Sequence, residues 1–105
     1  MKRFVLPILA LACLATLSAV AKEVTVSIAN LKFRPATVEV APGDTVIWMN
    51  DDDRGHTVVA DDGSFKSGEI GIGAQFRTTF KSAGEFSYRC DHHPRMRGKV
   101  VVKGK

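Results

Sequence analysis

The stretch EFSYRCDHHPRM, residues 85–96, joins a regularly alternating segment to a cluster of side chains that bind metals. Phe86, Tyr88 and Cys90 alternate with polar neighbours, which places these three side chains on one face of a β-strand. Beyond the thiol of Cys90, the stretch offers two imidazoles and the thioether of Met96. The pattern therefore predicts a core strand that ends at a candidate site.

Further short strands are predicted on both sides of this stretch. They cover residues 24–28, 37–40, 45–50, 56–60, 75–80 and 99–103, in addition to 85–90. Pro42-Gly43-Asp44 is a turn signal between two of them, and no amphipathic helix of useful length follows residue 21. Seven or eight short strands predict an all-β protein, a small antiparallel Greek-key β-sandwich.

The first 21 residues differ in composition from the rest of the chain. A positively charged start is followed by an apolar run and then by the small-residue pattern Ala19-Val20-Ala21. That order is typical of a secretory signal peptide cleaved before Lys22, so residues 22–105 are predicted to form a single exported domain. The run is too short for a spanning helix. Acylation at Cys13 is a disfavoured alternative, because apolar sequence continues beyond it.

Charge and cysteine content exclude some classes of function. The chain has a formal net charge of +4, and two of its basic residues lie in the predicted signal peptide. The exported domain is thus mildly basic and has no Lys/Arg run, so nucleic acid is not an expected partner. It keeps one cysteine, Cys90, which excludes an internal disulfide. A single thiol outside the cytoplasm suggests a sulfur that is buried, paired with another chain or ligated.

The side chains of this loop are donors that suit copper. Either His92 or His93 could complete a site with Cys90 and Met96, and His56 is the remaining histidine of the chain. Each residue alone has an ordinary interpretation, as a loop histidine, a buried thiol or a core methionine. Together, two imidazoles and a thiolate with a long, weak methionine contact form the blue-copper arrangement. This arrangement suits electron transfer because it is a compromise between Cu(I) and Cu(II).

Residues 31–103 resemble the cupredoxins, the type 1 blue copper proteins of the plastocyanin, pseudoazurin and amicyanin group. The matching stretches are PGDTVIWMN at 42–50, GHTV at 55–58, FKSG at 65–68, FSYRC at 86–90 and MRGKVVV at 96–102. Two residues between Cys90 and His93, and two between His93 and Met96, give the short, amicyanin-like loop. Amicyanin-like loops usually carry Thr-Pro where this chain has Asp91-His92.

The resemblance implies that His56, Cys90, His93 and Met96 hold one type 1 copper ion, which cycles between Cu(I) and Cu(II). It also implies that Asn50 braces the ligand loops by hydrogen bonds. The implied function is that of a periplasmic electron carrier, not an enzyme. Its implied partners are a dehydrogenase donor and a c-type cytochrome acceptor in transient complexes. A monomer without a stable membrane span is expected.

Two further interpretations accompany this prediction. The arginines near the predicted site, Arg54, Arg95 and Arg97, form either a basic rim that attracts an acidic partner or an ordinary solvated face. A periplasmic copper chaperone or storage protein is the alternative function, although the chain lacks a Met- or His-rich tract. A multicopper enzyme needs more than three histidines, and structural zinc is disfavoured because methionine is a poor zinc ligand.

Overall fold

The computed structural model describes residues 20–104, and within them it has eight strands and no helix. The strands are β1 (Glu23–Ala29), β2 (Lys32–Arg34), β3 (Thr37–Val40), β4 (Thr45–Asn50), β5 (Val59–Ala60), β6 (Gln75–Thr79), β7 (Gly84–Cys90) and β8 (His93–Val102). A helix able to cross a membrane is not found in this part of the chain. The predicted signal peptide, apart from Val20 and Ala21, lies outside the described residues.

The strands form two sheets of four that pack as a sandwich. One sheet has the order β2-β1-β4-β6, and the other has the order β3-β8-β7-β5. β1 runs parallel to β4, and β3 runs parallel to β8, whereas the other pairs are antiparallel. The predicted all-β sandwich of seven to eight strands is confirmed. The two parallel pairs make both sheets mixed.

Alternating apolar side chains fill the space between the sheets. Trp48 of β4 is fully buried at the centre of this core. Its ring centroid lies 5.3 Å from that of Tyr88 and 5.7 Å from those of Phe65 and Phe76. Burial raises the pKa of Tyr88 to about 12, so its phenol stays neutral. Since these rings come from both sheets and from a connection, they hold the two layers together.

The long connection between β5 and β6 packs on the core. Phe65 and Ile70 are both buried. Ile70 also forms an isolated bridge with His56, and Lys66 forms one with Val59. The connection is therefore fixed to the sandwich close to one of the candidate ligands.

The hairpin of β7 and β8 changes register near its turn. Arg89 lies opposite Arg97, but the next residue, Cys90, lies opposite His93. Residues 94–96 of β8 therefore form a bulge with no opposite residues on β7. The sequence predicts that the last strand begins near residue 99, and this is wrong. Pairing with β7 extends β8 back to His93, although residues 93–97 have no apolar alternation of their own.

Candidate metal centre

Cys90 ends β7 and directs its side chain into the core. It is fully buried, like Tyr88 on the same face, as the alternation predicts. Its sulfur lies 3.4 Å from the backbone nitrogen of Thr57 and 3.7 Å from the Thr57 hydroxyl, and both groups donate to it. Thr57 Oγ1 in turn accepts the backbone N–H of Asp91 at 2.8 Å. These contacts fix the position of the sulfur at the end of β7.

His56 reaches Cys90 from the segment between β4 and β5. The residue is fully buried, and its backbone exchanges hydrogen bonds with Ile70, at 3.2 Å for its N–H and 2.8 Å for its carbonyl. These bonds fix the ring against the end of the sandwich. Its Nδ1 lies 3.7 Å from Cys90 Sγ.

His93 begins β8 directly opposite Cys90. Its Nδ1 also lies 3.7 Å from Cys90 Sγ, and its ring centroid is 5.3 Å from that of His56. The three donor atoms all lie within 4.8 Å of one another. His93 is only partly buried, so it is the member of this group that reaches the surface.

Met96, the fourth predicted site residue, lies in the bulge of β8. It is only 4% exposed and belongs to the hydrophobic core, as do Val100 and Val102 further along the strand. The register of the hairpin places Met96 beside the end of β7 that carries Cys90. The structure thus brings all four predicted residues to one end of the sandwich, with three of them well shielded from water.

A carboxylate that the sequence analysis missed, Asp52, orients His56. The Asp52 carboxylate accepts hydrogen bonds from the backbone N–H groups of Asp53 and Leu31, and its Oδ2 lies 2.9 Å from His56 Nε2. These bonds hold the pKa of Asp52 well below its usual range, so the carboxylate is ionised. An ionised Asp52 accepts the Nε2–H of His56, which leaves the Nδ1 lone pair directed at Cys90.

Asn50 braces the segments around the centre, as the resemblance implies. It is fully buried, and its Nδ2 donates to the carbonyls of Arg54 and Ile70 at 2.9 Å and of Gly71 at 3.2 Å. Its Oδ1 accepts the backbone N–H of Asp52 at 2.9 Å. The expected bracing role is confirmed, since one side chain joins the end of β4 to two loops.

His92 lies outside the group of converging donors. Its side chain is about half exposed, and its Nε2 lies 2.9 Å from Glu69 Oε1. A shallow depression lies beside it at the surface, lined by His92, His93, Pro94 and Arg95. His93, which is only partly buried, therefore reaches the surface in this depression.

Two of the three arginines near the centre form ion pairs. Arg54 pairs with Asp53 at 3.3 Å, and Arg97 pairs with Asp61. Arg95 is exposed, and within residues 20–104 it has no such partner. Most of the positive charge that the sequence predicts here is therefore neutralised at short range.

The donor set fits a copper ion of the type 1 class. Two imidazole nitrogens and one sulfur, all within 4.8 Å of one another, are the donors of the trigonal type 1 arrangement. The neighbouring strand carries a buried thioether, the type of weak fourth donor that this arrangement uses.

This combination of fold and donor residues is found in a family of known copper-binding proteins. The family described as copper binding proteins, plastocyanin/azurin family, matches residues 20–103. Amicyanin from Paracoccus denitrificans is 36% identical over 90 residues, which cover 76% of this chain and 65% of that protein. The chain thus spans just under two thirds of that relative's length.

Two solved structures illustrate the likeness of the sandwich itself. An oxidized mutant of amicyanin has a TM-score of 0.72 at 34% identity, with 76% of this chain and 81% of that chain covered. A purple cupredoxin from Nitrosopumilus maritimus has a TM-score of 0.72 at 28% identity, with 76% and 99% covered. The similarity therefore extends over most of the sandwich and is not confined to the donor residues.

Proposed function

Because the chain belongs to the plastocyanin/azurin family of copper-binding proteins, we propose that it is an exported carrier of single electrons and not an enzyme. The observation that carries this proposal is the convergence of His56, Cys90 and His93 on one point, with Met96 buried near them. These donors are soft enough for Cu(I) and still acceptable to Cu(II). One bound ion in such a site gives the protein a single redox centre.

The proposed ligands are the thiolate of Cys90, the Nδ1 atoms of His56 and His93, and the thioether of Met96. The equal distances from the Cys90 sulfur to the two imidazole nitrogens support this assignment. His92 is not part of the proposed ligand set, because it is exposed and its Nε2 contacts Glu69.

When bound, copper supplies a one-electron couple between Cu(I) and Cu(II). The protein's contribution is to hold the donors in one arrangement in both oxidation states. Asp52 orients one imidazole, Thr57 donates to the sulfur, and Asn50 braces the loops between them. Because these contacts hold the donors from outside the proposed ligand set, gain or loss of an electron should require little rearrangement of the protein.

Electron exchange at His93 is part of the proposal. His56, Cys90 and Met96 are shielded, whereas one edge of the His93 ring is accessible beside Pro94. Only the imidazole ring of His93 would separate a partner docked on this depression from the proposed copper site.

The proposed location is the periplasm, and the proposed partners are a dehydrogenase donor and a c-type cytochrome acceptor. The signal-like pattern of residues 1–21 supports export. Because Asp53 and Asp61 neutralise two of the nearby arginines, a partner would meet few free charges here. Association is therefore expected to depend only weakly on salt concentration.

The absorption spectrum of the copper-loaded protein tests the centre. An intense thiolate-to-copper band in the visible range is expected, and Cys90→Ser should abolish it. His93→Ala should abolish the normal band as well, whereas the matched variant His92→Ala should leave it in place. A structurally similar protein is described as purple, so the band itself, and not a blue colour, is the criterion. A band that survives in Cys90→Ser contradicts the assignment.

Electron transfer is tested separately by mixing the reduced protein with an oxidised c-type cytochrome in a stopped-flow instrument. Rapid, reversible one-electron exchange is expected, together with slow loss of copper to a chelator. Rapid loss of copper without electron exchange would instead indicate a copper-handling protein.

A further inference from the structure

Asp44, in the turn before β4, is a buried carboxylate that the proposed function does not use. Only 4% of the residue is exposed. Its Oδ1 accepts the backbone N–H of Lys22 at 2.9 Å, and its Oδ2 accepts that of Ala41 at 2.8 Å. These two hydrogen bonds lower the pKa of Asp44, so the carboxylate is charged at neutral pH. Within residues 20–104, no side chain forms an ion pair with it.

The nitrogen that donates to Oδ1 lies where the exported chain is predicted to begin. β1 starts at Glu23, and the carbonyl of Lys22 already accepts the backbone N–H of Thr45 at 3.0 Å. The two preceding residues are exposed, Val20 by 83%. The bond between Ala21 and Lys22 therefore lies at the junction between exposed chain and the first strand, directly after the small-residue cleavage pattern.

We propose that Asp44 is the binding site for the mature N-terminus, an α-ammonium group that cleavage between Ala21 and Lys22 creates. A signal peptidase hydrolyses the peptide C–N bond, water supplies the hydroxyl to the Ala21 carbonyl carbon, and the Lys22 nitrogen becomes –NH₃⁺. This nitrogen is the atom that already donates to Asp44, so β1 need not move. The proposal rests on the predicted cleavage and is independent of the metal centre.

Cleavage changes the donor at Oδ1 from a neutral N–H group to a cation. A buried carboxylate that only neutral donors satisfy carries an uncompensated charge, which disfavours burial. An ammonium group at the same place gives a charge-assisted hydrogen bond, which is stronger than a neutral one. The ion pair would also fasten the first residue of the exported chain, where strands otherwise fray. Removal of the signal peptide should therefore stabilise the sandwich.

N-terminal sequencing of the exported protein is the first test, and Lys22 is expected as its first residue. Thermal unfolding then compares protein that begins at Lys22 with protein that carries one extra alanine before it. The extended form keeps the neutral N–H donor but moves the ammonium group one residue away. The Lys22 form is expected to have a Tm higher by about 5 °C.

Asp44→Asn in both N-terminal forms completes a double-mutant cycle, and the difference in Tm should disappear. The side-chain charge of Lys22 also acts on Asp44, so Lys22→Gln in both forms is the matched control. The difference in Tm between the two N-terminal forms should persist in this variant. If Asp44→Asn does not fold, the pKa of the α-amino group in the Lys22 form is decisive. It should lie at least about one unit above its ordinary value near 8. A different mature N-terminus, equal Tm values for the two forms, or an ordinary amino pKa overturns the proposal.

Discussion

A single carboxylate determines which nitrogen of His56 faces the centre. Asp52 is held by two backbone N–H groups, so its position does not depend on the histidine it contacts. Its oxygen at 2.9 Å from Nε2 leaves Nδ1 free, and Nδ1 is the nitrogen that lies near Cys90. When a carboxylate accepts a hydrogen bond from the ring nitrogen that does not face the metal, it fixes the orientation of the histidine and raises the basicity of the other nitrogen.

Asp52→Ala is therefore expected to weaken copper binding by about 10–100-fold while the fold is retained. The physical reason is that the ring of His56 loses both its orientation and its negatively charged acceptor. Competition with a chelator of known affinity measures the change. Asp53→Ala is the matched control, because the neighbouring carboxylate is exposed and pairs with Arg54. Equal affinities for the two variants would show that Asp52 does not orient the histidine.

Gly98 is a second residue whose effect is local, because its lack of a side chain makes room for the buried ring of Tyr88. Gly98 lies opposite Tyr88 in the hairpin, and a Cβ at this position would overlap the phenol ring of Tyr88. Gly98→Ala is expected to lower the free energy of unfolding by about 1–3 kcal/mol, because the ring cannot shift in a filled core. Urea denaturation measures this, and Gly71→Ala, which meets open space, should change stability by less than about 0.5 kcal/mol.

At the scale of structural elements, one amide joins the end of β4, the loop that follows it and a connection 20 residues further along the chain. Asn50 ends β4, and its hydrogen bonds reach the loop before His56 and the connection that contains Ile70. His56 pairs with Ile70 by backbone hydrogen bonds. The ligand segment is consequently held on both sides, once by the amide and once by the bridge.

Asn50→Asp keeps the size of the side chain but removes the donors that the carbonyls of Arg54, Ile70 and Gly71 use. The variant is expected to lose about 2–4 kcal/mol of unfolding free energy, since buried acceptors become unsatisfied and face another acceptor. Chemical denaturation of the metal-free protein measures the loss without a contribution from copper. Asp51→Asn, an exposed neighbour, is the control. If Asn50→Asp loses no more unfolding free energy than Asp51→Asn, Asn50 does not brace these segments.

At the scale of the whole molecule, the acid range should reveal how much the folded state depends on ionised aspartates. Asp44, Asp52 and Asp62 all have pKa values below their usual 3.8, chiefly because of hydrogen bonds. The folded state therefore binds fewer protons than the unfolded state, and stability rises with pH. The contribution is complete above about pH 5 and is lost as the pH falls through the folded-state pKa values.

The metal-free protein is thus expected to show a steep fall in Tm between about pH 4 and about pH 2. Calorimetry at a series of pH values measures it, and Asp62→Asn should make the fall less steep. A Tm that stays constant over that range would show that these hydrogen bonds do not favour the charged carboxylates.

Much of this arrangement follows from local pattern, and the remainder depends on contacts between distant segments. The alternation of Phe86, Tyr88 and Cys90 predicts the inward thiol, and the structure confirms it. The role of Asp52 is not predictable in the same way, because three successive aspartates in a polar loop are typical of solvated sequence. The parallel pairing of β1 with β4 depends equally on distant contacts, which no local pattern records.

The bulge of residues 94–96 has a consequence for how such a chain can vary. These residues lie between two points of fixed pairing, Cys90 with His93 and Arg89 with Arg97. An insertion or deletion within the bulge would leave both pairings and all later pairs of the hairpin in place. Loop length can therefore vary here without a change in the strand pairing. Because Met96 lies in this segment, a variant of different length would change the candidate metal centre while the rest of the sandwich stays the same.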